Sequence, residues 1–127
     1  MSYECILDSS AWVSYLGGTN DDERLKQIIE NEAIATSIIA IAELADKFER
    51  EKRSFDAPLQ FIRNRSVFLP LTLLICLKAA KLKNEIRAKN KKFGIVDGIH
   101  LATAINEKEI LITTDHDFEG VDNVLII

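Results

Sequence analysis

The stretch Ile110-Leu111-Ile112-Thr113-Thr114-Asp115-His116-Asp117-Phe118 is an apolar run that stops abruptly in two threonines and two aspartates, with an aromatic residue closing it. An apolar run without polar alternation is the pattern of a strand buried on both faces. It is read as a strand from Ile110 to Thr113 that delivers hydroxyls and carboxylates at its C-terminal edge. Similar runs stand elsewhere: Glu4 to Leu7 before Asp8, Ala33 to Thr36, Ser66 to Leu69 before Pro70, and Val124 to Ile127.

Between these runs the periodicity is helical. Ala11 to Leu16 follows Ser9 and Ser10 and is closed by Gly17 and Gly18, the usual start and stop signals. Asn20 is expected to cap a second helix to about Asn31, with Leu25, Ile28 and Ile29 on one face and acids in its first turn. Helices are expected from Ser37 to about Arg53 and from Phe55 to Asn64, where Pro58 is tolerable only in the first turn. A long helix from Thr72 to about Ala88 is expected to bury Leu73, Leu74, Leu77, Ala80 and Leu82. After a basic loop, Lys89 to Gly94, a last helix spans Ile95 to Glu107.

Apolar strands alternating with helices predict an α/β fold: one domain, residues 1–127, with a parallel sheet covered by helices on both faces. Crossovers in such sheets are right-handed, and ligands bind beyond the C-terminal strand ends where the strand order reverses. Asp8 and Asp115 fall at that edge.

At 127 residues, 47% hydrophobic and 28% charged, the chain has the composition of an ordinary globular domain. No apolar run approaches the roughly 20 residues of a membrane span. The N-terminal residues carry no basic region of a secretory signal, and the expectation is a cytoplasmic protein without a membrane partner. Cys5 and Cys76 lie in apolar segments without metal-site spacing, and both are expected as small buried hydrophobes. The net charge of −4 argues weakly against a nucleic-acid partner: setting aside Asp8, Glu43, Asp97, Asp115 and Asp117 takes the remainder to +1. A divalent cation among those acids would turn their pocket towards attracting phosphate.

Each acid has an ordinary explanation. Asp8 can cap a helix, Asp97 can complement a helix dipole for ~0.3–1 kcal/mol, and Asp115 and Asp117 can be solvated loop acids. Glu43 is harder to dismiss, because it sits within Ile38-Ile39-Ala40-Ile41-Ala42-Glu43-Leu44-Ala45 and a buried carboxylate needs compensation. Lys47, one turn on, is the simple candidate partner; a metal is the sharper one. Together the acids form an all-oxygen donor set of the kind magnesium and manganese take. Such an ion can acidify water, orient it at phosphorus and neutralise phosphate oxygens, which is phosphodiester hydrolysis. Thr113 and Ser10 are hydroxyls suited to orienting these carboxylates, whereas His100 reads as a polar helix residue and His116 as a bystander.

In Asp8-Ser9-Ser10, Ala42-Glu43-Leu44, Val96-Asp97-Gly98-Ile99-His100-Leu101-Ala102-Thr103-Ala104 and Thr113-Thr114-Asp115-His116-Asp117-Phe118, the sequence resembles the PIN-domain ribonucleases, specifically VapC-type toxins. The resemblance implies a five-stranded parallel sheet of order 3-2-1-4-5. It implies that Asp8, Glu43, Asp97 and Asp115 surround Mg²⁺ or Mn²⁺, with Asp117 assisting and Ser10 and Thr113 in support. The activity implied is endoribonuclease cleavage leaving a 5′-phosphate, in a homodimer held inactive by a small antitoxin. Serine replaces a frequent threonine at position 9, and Gly98 an alanine, which either loosens the helix start or admits a close neighbour.

Seven basic residues against one acid lie between Lys78 and Lys92. They are either the solvated face of a helix or, at Lys89, Lys91 and Lys92, a guide for RNA phosphates. Trp12 and Tyr15 are read as packing residues, with contact to an antitoxin or a dimer partner as the competing reading. A phosphoacceptor receiver domain needs an aspartate ending its third strand and a lysine near its fifth, and both are missing here. A PIN nuclease of RNA maturation and a non-catalytic nucleic-acid scaffold are the functions that compete with a toxin.

Overall fold

The computed structural model describes residues 3–18 and 22–127. In chain order the elements are β1 (Cys5–Leu7), α1 (Ser9–Gly17), α2 (Glu23–Asn31), β2 (Ile34–Ser37), α3 (Ile38–Arg50), α4 (Asp56–Arg65), β3 (Ser66–Leu69), α5 (Leu73–Arg87), α6 (Ile95–Glu107), β4 (Ile110–Thr113), a 3₁₀ turn (His116–Phe118) and β5 (Val124–Ile126). The strands form one parallel sheet in the order β3-β2-β1-β4-β5, as expected. Asn20, expected to cap the second helix, lies outside the described residues; Asp22 accepts from the Arg24 N–H as the N-cap of α2.

Alternate strand residues face opposite layers, as the period of two requires. Cys5, Leu7, Ile34 and Ile112 pack with Trp12, Leu25, Ile29, Leu44 and Ile62 from α1 to α4. Ile6, Ala35 and Leu111 face the other way, against Leu101 and Ala104 of α6 together with Phe93 and Phe118. Trp12 is fully buried, with its indole N–H on Thr36 Oγ1 at 3.0 Å, so it is a packing residue.

The long helix corrects the sequence expectation. Leu73, Leu74 and Leu77 are 77%, 63% and 64% exposed, and Ala80 is exposed too. Leu82 is half-buried, and Ile75 and Ala79 make the inward contact instead. α5 carries more leucine than one face can bury, so its large apolar residues do not mark its inward side. Small residues set the phase: a Cβ added at Gly98 of α6 would lie 2.6 Å from the Ala79 carbonyl oxygen. The glycine therefore permits close helix approach. Cys76 shares the outer face and is exposed, contrary to expectation, whereas Cys5 is buried; both are free thiols.

Candidate metal centre at the sheet edge

The strand order reverses between β2 and β4 on either side of β1, and the C-terminal ends of β1 and β4 lie together there. Asp8 follows β1 directly and is 3% exposed. It caps α1, its Oδ1 accepting the Ala11 N–H at 3.0 Å and the Ser10 hydroxyl at 2.7 Å. Oδ2 accepts the Thr113 hydroxyl from the end of β4 at 2.6 Å. Ser10 also accepts the Thr114 N–H at 3.0 Å, and Thr113 Oγ1 accepts that of Asp115 at 3.0 Å. The two hydroxyls thus lock the turn after β4 to the turn after β1. The ordinary and the functional readings of Asp8 coexist, since one carboxylate caps its helix and sits at the ligand edge. Burial pushes this carboxyl up, against the opposing influence of His100 and of the bonds from Thr113, Ala11 and Ser10.

Glu43 projects from α3 and has its Oε1 fixed twice, by the Ser9 hydroxyl at 2.9 Å and by His100 Nε2 at 2.8 Å. Lys47, the simple candidate partner, binds Glu51 instead at 2.7 Å. Burial alone would raise the Glu43 carboxyl; the hydrogen bond and field of His100, with the Ser9 bond, bring it below its usual range. His100 is 2% exposed and was missed as a site residue. The available signal was its position one turn after Asp97, among apolar neighbours.

Asp97 lies in the first turn of α6, where its Oδ2 accepts the Gly94 N–H at 2.8 Å in a capping arrangement. Burial raises this carboxyl, and repulsion from Asp115 and Asp117 adds to the rise, partly countered by Gly94 and His100. Asp115 Oδ1 accepts the Asp117 N–H at 2.8 Å, capping the 3₁₀ turn, and Asn90 donates to the Asp117 carbonyl at 2.5 Å. His116 is exposed and bound to Glu119. Lys89, Lys91 and Lys92 are exposed on the loop before α6. A cavity of about 640 Å³ between α5, α6 and residues 119–122 contains none of the four principal acids.

Among the described residues no lysine or arginine forms an ion pair with Asp8, Glu43, Asp97, Asp115 or Asp117. Glu43 Oε2, Asp97 Oδ1 and Asp115 Oδ2 make no hydrogen bond to described residues. The donor chemistry therefore fits a hard divalent cation, with carboxylate oxygens left over and acids outnumbering the one histidine in contact with them. Among the described residues no three acid, histidine or cysteine side chains already enclose an ion-sized space, so the acids share an edge and a field without forming a closed cage.

The PIN domain profile matches residues 5–124. No curated protein sequence matches the chain. Among solved structures, a toxin–antitoxin complex from Klebsiella pneumoniae is similar at TM-score 0.75 and 21% identity, with 96% of each chain covered. VapBC2 from Rickettsia felis, bound to a DNA fragment from its promoter, is similar at TM-score 0.77 and 21% identity, covering 97% of this chain and 96% of that one. VapC20 of Mycobacterium tuberculosis, a toxin that cleaves the sarcin-ricin loop, is similar at TM-score 0.73 and 15% identity, covering 95% and 97%. Identities this low speak for the fold alone. With the five-stranded order, the acid-bearing strand ends and a profile spanning nearly all its residues in agreement, the chain belongs to the PIN-domain family.

Proposed function

We propose that this protein is a Mg²⁺- or Mn²⁺-dependent endoribonuclease and the toxin of a toxin–antitoxin pair. The observation that carries the reading is a group of acids, from four elements, at one sheet edge with no lysine or arginine partner among the described residues, His100 on Glu43 being the basic group they contact. Acids gathered in this way are unfavourable for the protein alone and become favourable when a cation is bound.

Asp8, Glu43, Asp97 and Asp115 would hold the ion, with Asp117 in an auxiliary place. The ion, when bound, would supply acidity to water and charge neutralisation at the scissile phosphate. Ser10 and Thr113 fix both oxygens of Asp8 and so keep the central acid in one orientation. Asp97 is anchored by its own helix start, and Asp115 by the turn that follows it. Lys89, Lys91 and Lys92 would draw RNA phosphates towards Asp97 without selecting a sequence.

The toxin assignment is supported by fold likeness to toxins of VapBC systems, several of them solved with their antitoxins. A small antitoxin whose tail covers the acidic edge is the partner in this reading. A homodimer is supported by the exposed leucines of α5, since large apolar surfaces left open mark interaction sites. A short antitoxin gene immediately upstream would favour the toxin over a nuclease of RNA maturation, and a cleavage assay separates either enzyme from a non-catalytic scaffold. Labelled structured RNA incubated with Mg²⁺ or Mn²⁺ should be cut by the wild type and spared with EDTA, Asp8→Asn or Asp97→Asn. Cleavage surviving both substitutions would defeat the mechanism, and no cleavage by the wild type would favour the scaffold.

A further inference from the structure

His100 is a buried group that the metal reading leaves without a task. It is 2% exposed, its Nε2 lies 2.8 Å from Glu43 Oε1, and its Nδ1 is buried with no hydrogen-bond partner. Leaving a polar atom unpaired in the interior costs stability, and an apolar residue at position 100 would avoid that cost. Satisfying Glu43 does not account for the imidazole either, because the Ser9 hydroxyl already donates to the same oxygen at 2.9 Å. Glutamate has three side-chain torsions, and Glu43 retains 38% exposure of its side chain, so one donor would leave it several orientations. Two donors from different directions on one oxygen remove that freedom.

The placement of the donors is informative. Ser9 adjoins Asp8 at the start of α1, and His100 stands one turn after Asp97 on α6. Through a single oxygen, Glu43 on α3 is tied to the helix that the buried Asp8 caps and to the helix that carries the half-buried Asp97. We propose that Ser9 and His100 are positioning residues that clamp Glu43 by Oε1, reserving Oε2 for a divalent cation and keeping α3 in register with Asp8 and Asp97. This rests on the metal-dependent reading above. Side chains that orient a metal ligand influence affinity without touching the ion, typically by about 10–100-fold.

The test is Mn²⁺ titration of the RNA-free protein, followed by electron paramagnetic resonance, for wild type, His100→Ala, His100→Gln, Ser9→Ala and Glu43→Gln, with circular dichroism melts and the cleavage kcat and KM alongside. His100→Ala should weaken Mn²⁺ binding about 10–100-fold and lower kcat with little change in KM for RNA. His100→Gln, which restores an N–H donor, should recover a large part of both. Ser9→Ala should weaken binding several-fold, and adding His100→Ala to Glu43→Gln should cost little more than Glu43→Gln alone. If His100→Ala does not fold, His100→Gln and Ser9→Ala decide. Wild-type binding and cleavage with unchanged Mn²⁺ affinity in folded His100 and Ser9 variants would overturn the clamp and leave the metal reading standing. A wild type that binds no Mn²⁺ would overturn the metal reading, and the clamp with it.

Discussion

The C-terminal edge of the sheet and the outer face of α5 invert the usual distribution of polarity. At the edge, Asp8, Thr113 and His100 are all buried, whereas on α5 Leu73, Leu74 and Leu77 stand largely in solvent. Buried polar groups and exposed apolar patches are the two informative departures from ordinary packing. Neither helps an isolated chain. The edge concentrates acids that repel one another, and the α5 face leaves apolar area unburied. The two regions therefore depart from ordinary packing in different ways: one gathers like charge, the other leaves apolar area open.

If that contrast is right, substitutions in the two regions should fail in different assays. The largest effect belongs to the edge. Asp8→Asn should lower RNA cleavage by at least about 10²–10³-fold, the scale on which one electrostatic contribution to catalysis is lost. The same change should also alter how the stability of the metal-free protein depends on pH. Burial raises the folded-state pKa of Asp8, so its favourable contribution is complete below the ordinary carboxylate value of about 3.9 and is lost as pH rises through the folded value. The Tm of Asp8→Asn should therefore gain on wild type as pH increases, by roughly 4 °C for each ~1 kcal/mol recovered. A loss of Tm that is the same at pH 4 and pH 7 would contradict this.

Next is α5. Replacing Leu73, Leu74 and Leu77 together by serine should convert the proposed dimer to a monomer in sedimentation while leaving the monomer folded, since surface changes cost ~0.5 kcal/mol or less each. Unfolding would show that the leucines pack within the monomer after all. Gly98→Ala probes where the helix pair meets the core: its Cβ would press on the Ala79 carbonyl, and stability should fall by about 1–3 kcal/mol in denaturant titration. The smallest effect is expected at the basic loop. Replacing Lys89, Lys91 and Lys92 by alanine should flatten the salt dependence of RNA affinity by about 0.7 in the log–log slope per lost phosphate contact. An unchanged slope would remove the loop from the RNA path.

The strands were legible because each is an apolar run with its own stop, and the order 3-2-1-4-5 followed from the family resemblance. Asp8 and Asp115 were legible because a carboxylate at a strand end needs only the topology rule to be placed. Glu43 drew attention through its apolar flanks, yet its partner did not: Lys47 was close in sequence, and His100, 57 positions away, was close in space. Long-range pairing of that kind leaves no local pattern. α5 failed for another reason. Its leucines are distributed widely enough that periodicity has no single solution, and the deciding contact, Ala79 against Gly98, involves two of the smallest side chains in the helix pair.

The central claim is that the acids at the sheet edge are a site for a divalent cation. Mn²⁺ titration of the RNA-free wild type, Asp8→Asn and Asp97→Asn addresses it most directly. Saturable binding by the wild type, a rise in its Tm with added Mn²⁺, and at least about tenfold weaker binding in both variants are the predicted results. Equal binding by all three proteins, or none by the wild type, would contradict it.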